Sequence, residues 1–153
     1  MKVRFSSKAR KILWALLVAV LTPIAAHAET EPAEEVRQAC TSLAGDEVCI
    51  REASYTADVC RAISVFAARW RLPEAFLARL IWQESQFDPL ALSPAGAQGI
   101  AQFMPGTARI RGLGNAFHPA EALARSAEYL RFLTDKFGNL GLAAAAYNGG
   151  ERR

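Results

Sequence analysis

From Ala57 onward the apolar positions recur with a helical period and do not alternate. Val59, Ile63, Phe66 and Trp70 are spaced four, three and four residues apart, which places them on one face of a helix. Arg61, Arg69 and Arg71 punctuate the remainder of that segment. Pro73 followed by Glu74 marks a second helix start, with Pro at an early helical position and an acid in the first turn. Phe76, Leu77, Leu80 and Ile81 form its apolar stripe, and Asp88-Pro89 is expected to end it, because the residue before Pro is pushed out of the helical region.

Residues 91–107 change character. Ser93-Pro94, Gly96, Gly99 and Pro105-Gly106 are turn signals around a short apolar run, Ile100 to Met104. A third helix is predicted from about Pro119 to Phe137, with Ala122, Ala127, Leu130, Leu133 and Phe137 inward, closed by Gly138-Asn139. A fourth runs from Leu140 to Tyr147-Asn148. No alternating strand stands out, so the fold class read from the pattern is all-α.

The first 28 residues follow a different logic. Lys2, Arg4, Lys8, Arg10 and Lys11 precede an apolar run from Ile12 to Ala26, and Ala26-His27-Ala28 supplies small residues where a signal peptidase cuts. The run is shorter than the roughly 20 apolar residues of a membrane-spanning helix. The reading is therefore a signal peptide over 1–28, cleaved after Ala28, with export to the periplasm. This changes the charge argument. Five of the 18 basic residues and none of the 15 acidic ones lie in the signal, leaving 13 minus 15, a net −2. Nothing in that balance favours a nucleic-acid surface.

Residues 29–56 read as an acidic leader followed by a short stapled pre-segment without clear period. Cys40, Cys49 and Cys60 suit an oxidising compartment. Three cysteines allow at most one internal pair. Cys40–Cys49 is expected from nearness in sequence, with Cys49–Cys60 almost as short. The odd thiol reads either as a buried free cysteine or as the mark of an incomplete chain. Beyond the signal His118 is the sole histidine. It lies before Pro119, where a loop or helix entry is expected, too isolated for a Cys/His zinc site or a Ser-His-Asp triad. No metal or other cofactor is expected.

Glu84 is the residue that demands an account. It lies one turn beyond Leu80 and Ile81, on the face of the second helix expected to be buried. A carboxylate there is costly unless paired or neutralised, and positions 80, 81, 87 and 88 hold no Arg or Lys. Desolvation without a cation raises a carboxyl pKa, the condition for a general acid at neutral pH. Periodicity alone equally admits a Glu at the edge of the face with its head in water. Asp88, one turn on, is the one nearby second carboxylate, and its Asp-Pro setting reads as a helix terminator.

Three stretches weigh on that choice. Ile81-Trp82-Gln83-Glu84-Ser85-Gln86-Phe87-Asp88-Pro89 resembles the Glu-Ser catalytic motif of the Slt-type lytic transglycosylases. The run from Ser93 to Ala108, SPAGAQGIAQFMPGTA, resembles their glycine-rich second motif, and Ala145-Ala146-Tyr147-Asn148-Gly149-Gly150 their Tyr-Asn motif. The likeness covers about residues 57–150. It implies a lysozyme-like helical domain over 57–153 acting on peptidoglycan glycan strands, at the β-1,4 bond between N-acetylmuramic acid and N-acetylglucosamine. One Glu, here Glu84, is implied to protonate the leaving oxygen and then deprotonate the muramyl 6-hydroxyl, closing a 1,6-anhydro ring. Ser85 is implied as a helper polar group, Gln102, Met104 and Tyr147 as cleft-lining, and Asn148 as supporting. Gly99, an ordinary turn glycine without the motif, is expected to let backbone approach the sugar.

The resemblance also implies a further helix or more after the Tyr-Asn motif, whereas the sequence stops at Arg153. The domain is therefore expected to be incomplete at its C-terminus. Two rival readings stay open: a hydrolytic muramidase, and a non-catalytic periplasmic factor for peptidoglycan binding or envelope assembly. Envelope or secretion machinery as a partner, and the oligomeric state, are open at this point.

Overall fold

The computed structural model describes residues 38–42, 45 and 47–150. The signal-peptide reading of residues 1–28 lies outside them. Helices carry most of the described chain: α1 (Tyr55–Arg69), α2 (Glu74–Ser85), α3 (Pro105–Ile110), α4 (Pro119–Phe137) and α5 (Leu140–Gly149). They are preceded by an antiparallel hairpin, β1 (Gln38–Thr41) and β2 (Val48–Arg51).

The hairpin corrects the expectation of no strands. Its strands are four residues each, and the alternation that would announce them extends only over buried Val48, half-buried Cys49 and buried Ile50. The register sets Cys40 directly opposite Cys49, and the two are joined by a disulfide. The third thiol corrects the other half of the cysteine reading. Cys60 is free and exposed, on the flank of α1 beside buried Val59.

α1 docks this hairpin through one carboxylate. Asp58 is buried, and it accepts hydrogen bonds from the Arg51 backbone at 3.1 Å, from Arg51 Nε at 2.9 Å and from Ser54 Oγ at 2.7 Å. Arg61 adds a contact at 2.6 Å. The Arg51 guanidinium and the Ser54 hydroxyl hold the Asp58 carboxyl well below the usual range.

The helix faces follow the periodicity. Val59, Ile63 and Phe66 of α1 and Leu77, Leu80 and Ile81 of α2 are buried. α4 is the spine, with Leu123, Leu130 and Leu133 fully buried. It begins where His118 Nδ1 accepts the Glu121 amide at 3.2 Å, so this histidine is a helix cap. It ends at Gly138 with φ of 69°, and Asn139 then caps α5 through the amides of Gly141 and Leu142. Among the described residues no helix is long and apolar enough to cross a membrane.

Two local elements differ from expectation. α2 ends at Ser85, ahead of Asp88-Pro89, because Gln86 and Phe87 both turn left-handed, with φ of 54° and 68°. The Tyr55 hydroxyl fixes that exit by donating to the Phe87 carbonyl at 2.7 Å. Pro105-Gly106, read as a turn signal, instead begins α3. Pro105 opens it at a first-turn position, where the absent N–H is no loss.

Candidate active site

Glu84 occupies the last turn of α2, and its Oε1 is buried without a hydrogen-bond partner. Burial pushes its carboxyl up to about 7, with no cation opposing the shift. At neutral pH the group is thus divided between acid and base. It opens into a cleft of about 270 Å³, and among the described residues lining that cleft it is the one acidic side chain. Asp88 is not on this wall. Its Oδ1 accepts the Leu90 amide at 2.8 Å, a local turn that accounts for the carboxylate.

Four of the residues singled out by sequence line the cleft with Glu84: Gln102, Met104, Tyr147 and Asn148. Gln102 is held with φ of 47°, and its Nε2 donates to the carbonyls of Gly99 at 2.9 Å and Ala91 at 3.2 Å. Its amide N–H groups therefore shape the loop, leaving the amide oxygen as an acceptor. Met104 precedes α3 and is 44% exposed, an apolar surface open to a ligand. Tyr147, on α5, donates its hydroxyl to the Ala101 carbonyl at 2.9 Å. Burial, and next the negative charge of Glu84, raise its phenol well above the ordinary value, so it stays neutral. Asn148 is exposed beside it and donates to the Ala144 carbonyl at 3.3 Å.

Ser85 and Gly99 are placed differently. Ser85 Oγ donates to the Ile100 carbonyl at 2.7 Å and is absent from the cleft lining. Gly99 is buried with φ of 72°, and a Cβ there would collide with the carbonyl oxygen of Ala116. Its backbone approaches the 116–117 segment, and Gly99 too is absent from the lining. Both residues hold the glycine-rich loop against its neighbours.

The cleft also contains residues the sequence reading passed over, among them Ser93, Ala97, Thr107 and Tyr129. Ser93 and Ala97 close one turn, the Ser93 amide donating to the Ala97 carbonyl and the Ala97 amide to Ser93 Oγ, both at 2.9 Å. Tyr129 is buried, and its ring centroid lies 5.3 Å from that of Tyr147. The available signal was position: Tyr129 falls seven residues after Ala122 and four before Leu133, on the inward face of α4.

The chain is similar to several known proteins. The chain is 34% identical over 88 residues to a transglycosylase of Enterobacteria phage PRD1, covering 58% of this chain and 33% of that protein. It is 33% identical over 93 residues to the soluble lytic murein transglycosylase of Salmonella typhimurium, covering 54% of this chain and 14% of that one. The described helices match lytic transglycosylase Slt from Pseudomonas aeruginosa with a TM-score of 0.54 at 32% identity, over 59% of this chain and 16% of Slt. The chain thus spans a minor part of each of these relatives, and what it shares with Slt is a helical, lysozyme-like fold. Residues 61–153, the greater part of the sequence, match the family model of the transglycosylase SLT domain, and the chain belongs to that family.

Proposed function

We propose that the chain is a peptidoglycan lytic transglycosylase that cleaves the β-1,4 bond between N-acetylmuramic acid and N-acetylglucosamine, with Glu84 as its single general acid and base. One observation carries the reading: a cleft whose one carboxyl is desolvated, unpartnered at Oε1 and raised to about 7. The protonated Glu84 gives its proton to the bridging oxygen as the bond to C1 breaks. The resulting carboxylate takes the proton of the muramyl 6-hydroxyl, and O6 bonds to C1. The ring closes as a 1,6-anhydro sugar, no water enters, and Glu84 is again protonated. Glycosidases that use water need a second carboxylate about 5–10 Å away, and the described cleft lining offers none.

The residues around Glu84 suit the rest of the task. Met104 and the tyrosine rings offer apolar and aromatic surface for sugar faces, while the Gln102 amide oxygen is left as an acceptor for a sugar hydroxyl. One relative of known structure, Slt of Pseudomonas aeruginosa, was solved as an inactive mutant with glutamate replaced by glutamine. Export with cleavage after Ala28 belongs to the same reading, and N-terminal sequencing of periplasmic protein is expected to begin at Glu29.

The test is digestion of purified sacculi with the parent and with Glu84→Gln. The parent is expected to release muropeptides with anhydro ends, and the variant to fall by at least about 10²-fold, the usual cost of an essential acid/base. Reducing ends in place of anhydro ends would mean hydrolysis. Turnover within about tenfold of the parent would remove Glu84 as the catalyst.

A further inference from the structure

Glu84 stands on the least secure part of its helix. The last carbonyls of a helix have no partner within it, and the final turn frays unless something outside holds it. α2 ends at Ser85, one residue after Glu84, and the chain leaves through Gln86 and Phe87 with φ of 54° and 68°. Left-handed backbone crowds the Cβ of any residue other than glycine, and two such residues in a row keep that conformation only where their surroundings impose it. The exit is closed in part by its own amides. Gln86 donates to the Trp82 carbonyl at 2.8 Å and Asp88 to the Ser85 carbonyl at 3.0 Å, both bonds local to residues 82–88.

The hold from outside comes from Tyr55, the first residue of α1. Its hydroxyl donates to the Phe87 carbonyl at 2.7 Å, across 32 residues of sequence. Phe87 is also fixed by its ring, which meets that of Trp82 edge-on with centroids 5.3 Å apart. Tyr55 is itself anchored, because buried Asp58, one turn on, ties the start of α1 to Arg51 of β2 and to Ser54. Burial, and then the negative charge of Asp88, push the Tyr55 phenol up to about 12, so the hydroxyl keeps its proton and remains a donor. Tyr55 precedes residues 61–153, which match the family model, and it is absent from the described lining of the Glu84 cleft. Its path to the carboxyl runs through the backbone of residues 84–87.

We propose that Tyr55 is a positioning residue for Glu84: its bond to the Phe87 carbonyl holds the left-handed exit of α2 and so fixes the direction in which the Glu84 carboxyl enters the cleft. The proposal rests on the transglycosylase reading, since it gives Tyr55 a part in the chemistry of that carboxyl. A general acid must come within hydrogen-bond reach of the oxygen it protonates, and a displacement of about 1 Å can cost 10²-fold in rate. A last turn free to move would hold the carboxyl misdirected for part of the time.

The experiment follows cleavage of soluble glycan strands by the full chain as parent, Glu84→Gln, Tyr55→Phe, and Tyr55→Phe combined with Gln86→Gly. Each is assayed at a temperature where circular dichroism shows it fully folded. Tyr55→Phe keeps the ring and removes the donor. It is expected to lower kcat by about tenfold with KM unchanged, because Tyr55 does not line the described cleft. Glycine takes a positive φ without steric cost, so Gln86→Gly is expected to restore most of the lost kcat in the double variant. A role for Tyr55 confined to packing predicts no such rescue. Hydrogen exchange reads the exit without turnover: the Gln86 and Asp88 amides should exchange at least about tenfold faster in Tyr55→Phe while those of α4 are unchanged. A Tyr55→Phe variant with the kcat of the parent, a higher KM in place of a lower kcat, no rescue by Gln86→Gly, or unchanged exchange at Gln86 and Asp88 would overturn the proposal and leave the transglycosylase reading standing. A parent that cleaves nothing, or a Glu84→Gln variant as active as the parent, would overturn that reading and the proposal with it.

Discussion

Ser85 and Ile100 are joined by a 2.7 Å hydrogen bond from side-chain hydroxyl to backbone carbonyl, which ties the residue after Glu84 to the glycine-rich loop. The neighbouring carbonyl, Ala101, accepts the Tyr147 hydroxyl at 2.9 Å. Two consecutive carbonyls of one loop are thus held by α2 and α5, and the three sequence motifs meet there. The Glu84 carboxyl, the loop and the tyrosine are held in relation to one another by this pair of bonds.

Ser85→Ala removes the first of them and leaves the carbonyl of fully buried Ile100 without that donor. Losing a buried partner costs about 1–3 kcal/mol, so thermal unfolding should shift down clearly. Activity on sacculi should fall further than the loss of folded protein accounts for, because the loop beside Glu84 loses its tether. A variant as stable and active as the parent would show that the bond is incidental.

Gly99→Ala tests the loop from the other side. The substituted residue would be strained at φ of 72°, and its Cβ would meet the Ala116 carbonyl, a backbone atom that cannot swing away. The expected result is a loss of at least about 2 kcal/mol, of the order seen when strain and a core clash combine. Gly96→Ala is the control. It has φ of 88° but open space around the added methyl, so it should cost about 1 kcal/mol from backbone strain alone. Chemical denaturation of the two variants side by side makes the comparison.

Much of this was readable in sequence, and the reasons differ by element. α4 announced itself through a 3.6-residue period, Pro119 at its start and Gly138 at its end, all local signals. The apolar face of α2 left two readings of Glu84 open, desolvated or with its head in water, and its buried Oε1 agrees with the first. The hairpin was not, since four-residue strands give too few positions to show alternation. The early end of α2 depends on Gln86 and Phe87 adopting left-handed backbone, secured by Tyr55 from 32 residues away. Gly99 and Ser85 were expected at the substrate, but their contacts with Ala116 and Ile100 are tertiary and leave no trace in local pattern.

The cysteines give a third test. The Cys40–Cys49 disulfide closes a separation of nine residues across the hairpin. In the chain-entropy account a loop of this size contributes about 2–3 kcal/mol. Cys40→Ser with Cys49→Ser should lower stability by that order. One thiol, exposed Cys60, should react with a maleimide in the native oxidised protein, and three after reduction. Equal labelling before and after reduction would remove the disulfide from the account.

Glu84 makes stability depend on pH, and the sign is opposite to that of a salt-bridged acid. The folded protein holds this carboxyl at about 7, against 4.5 for the ordinary group, because burial disfavours the charge. Below about 4.5 the group is protonated in both folded and unfolded chains and contributes no pH dependence. Between about 4.5 and 7 the unfolded chain releases the proton while the folded one keeps it, so stability falls as pH rises. Above 7 the folded protein carries the buried charge, and the penalty is complete. Glu84→Gln cannot ionise and escapes it. The variant should match the parent at pH 4 and exceed it at pH 8 by about 1 kcal/mol, once solvent screening of a half-buried group is allowed for. Asp58 titrates the other way. Its depressed carboxyl supports the fold above the ordinary Asp range, and that support fades only as acid protonates it, below the window in which Glu84 titrates. Denaturant melts of parent and Glu84→Gln across pH 4 to 8 therefore isolate the Glu84 contribution. A difference that is constant with pH, or that favours the parent at pH 8, would mean that Glu84 is ionised and satisfied in the fold. The desolvated acid on which the catalytic reading stands would then be absent.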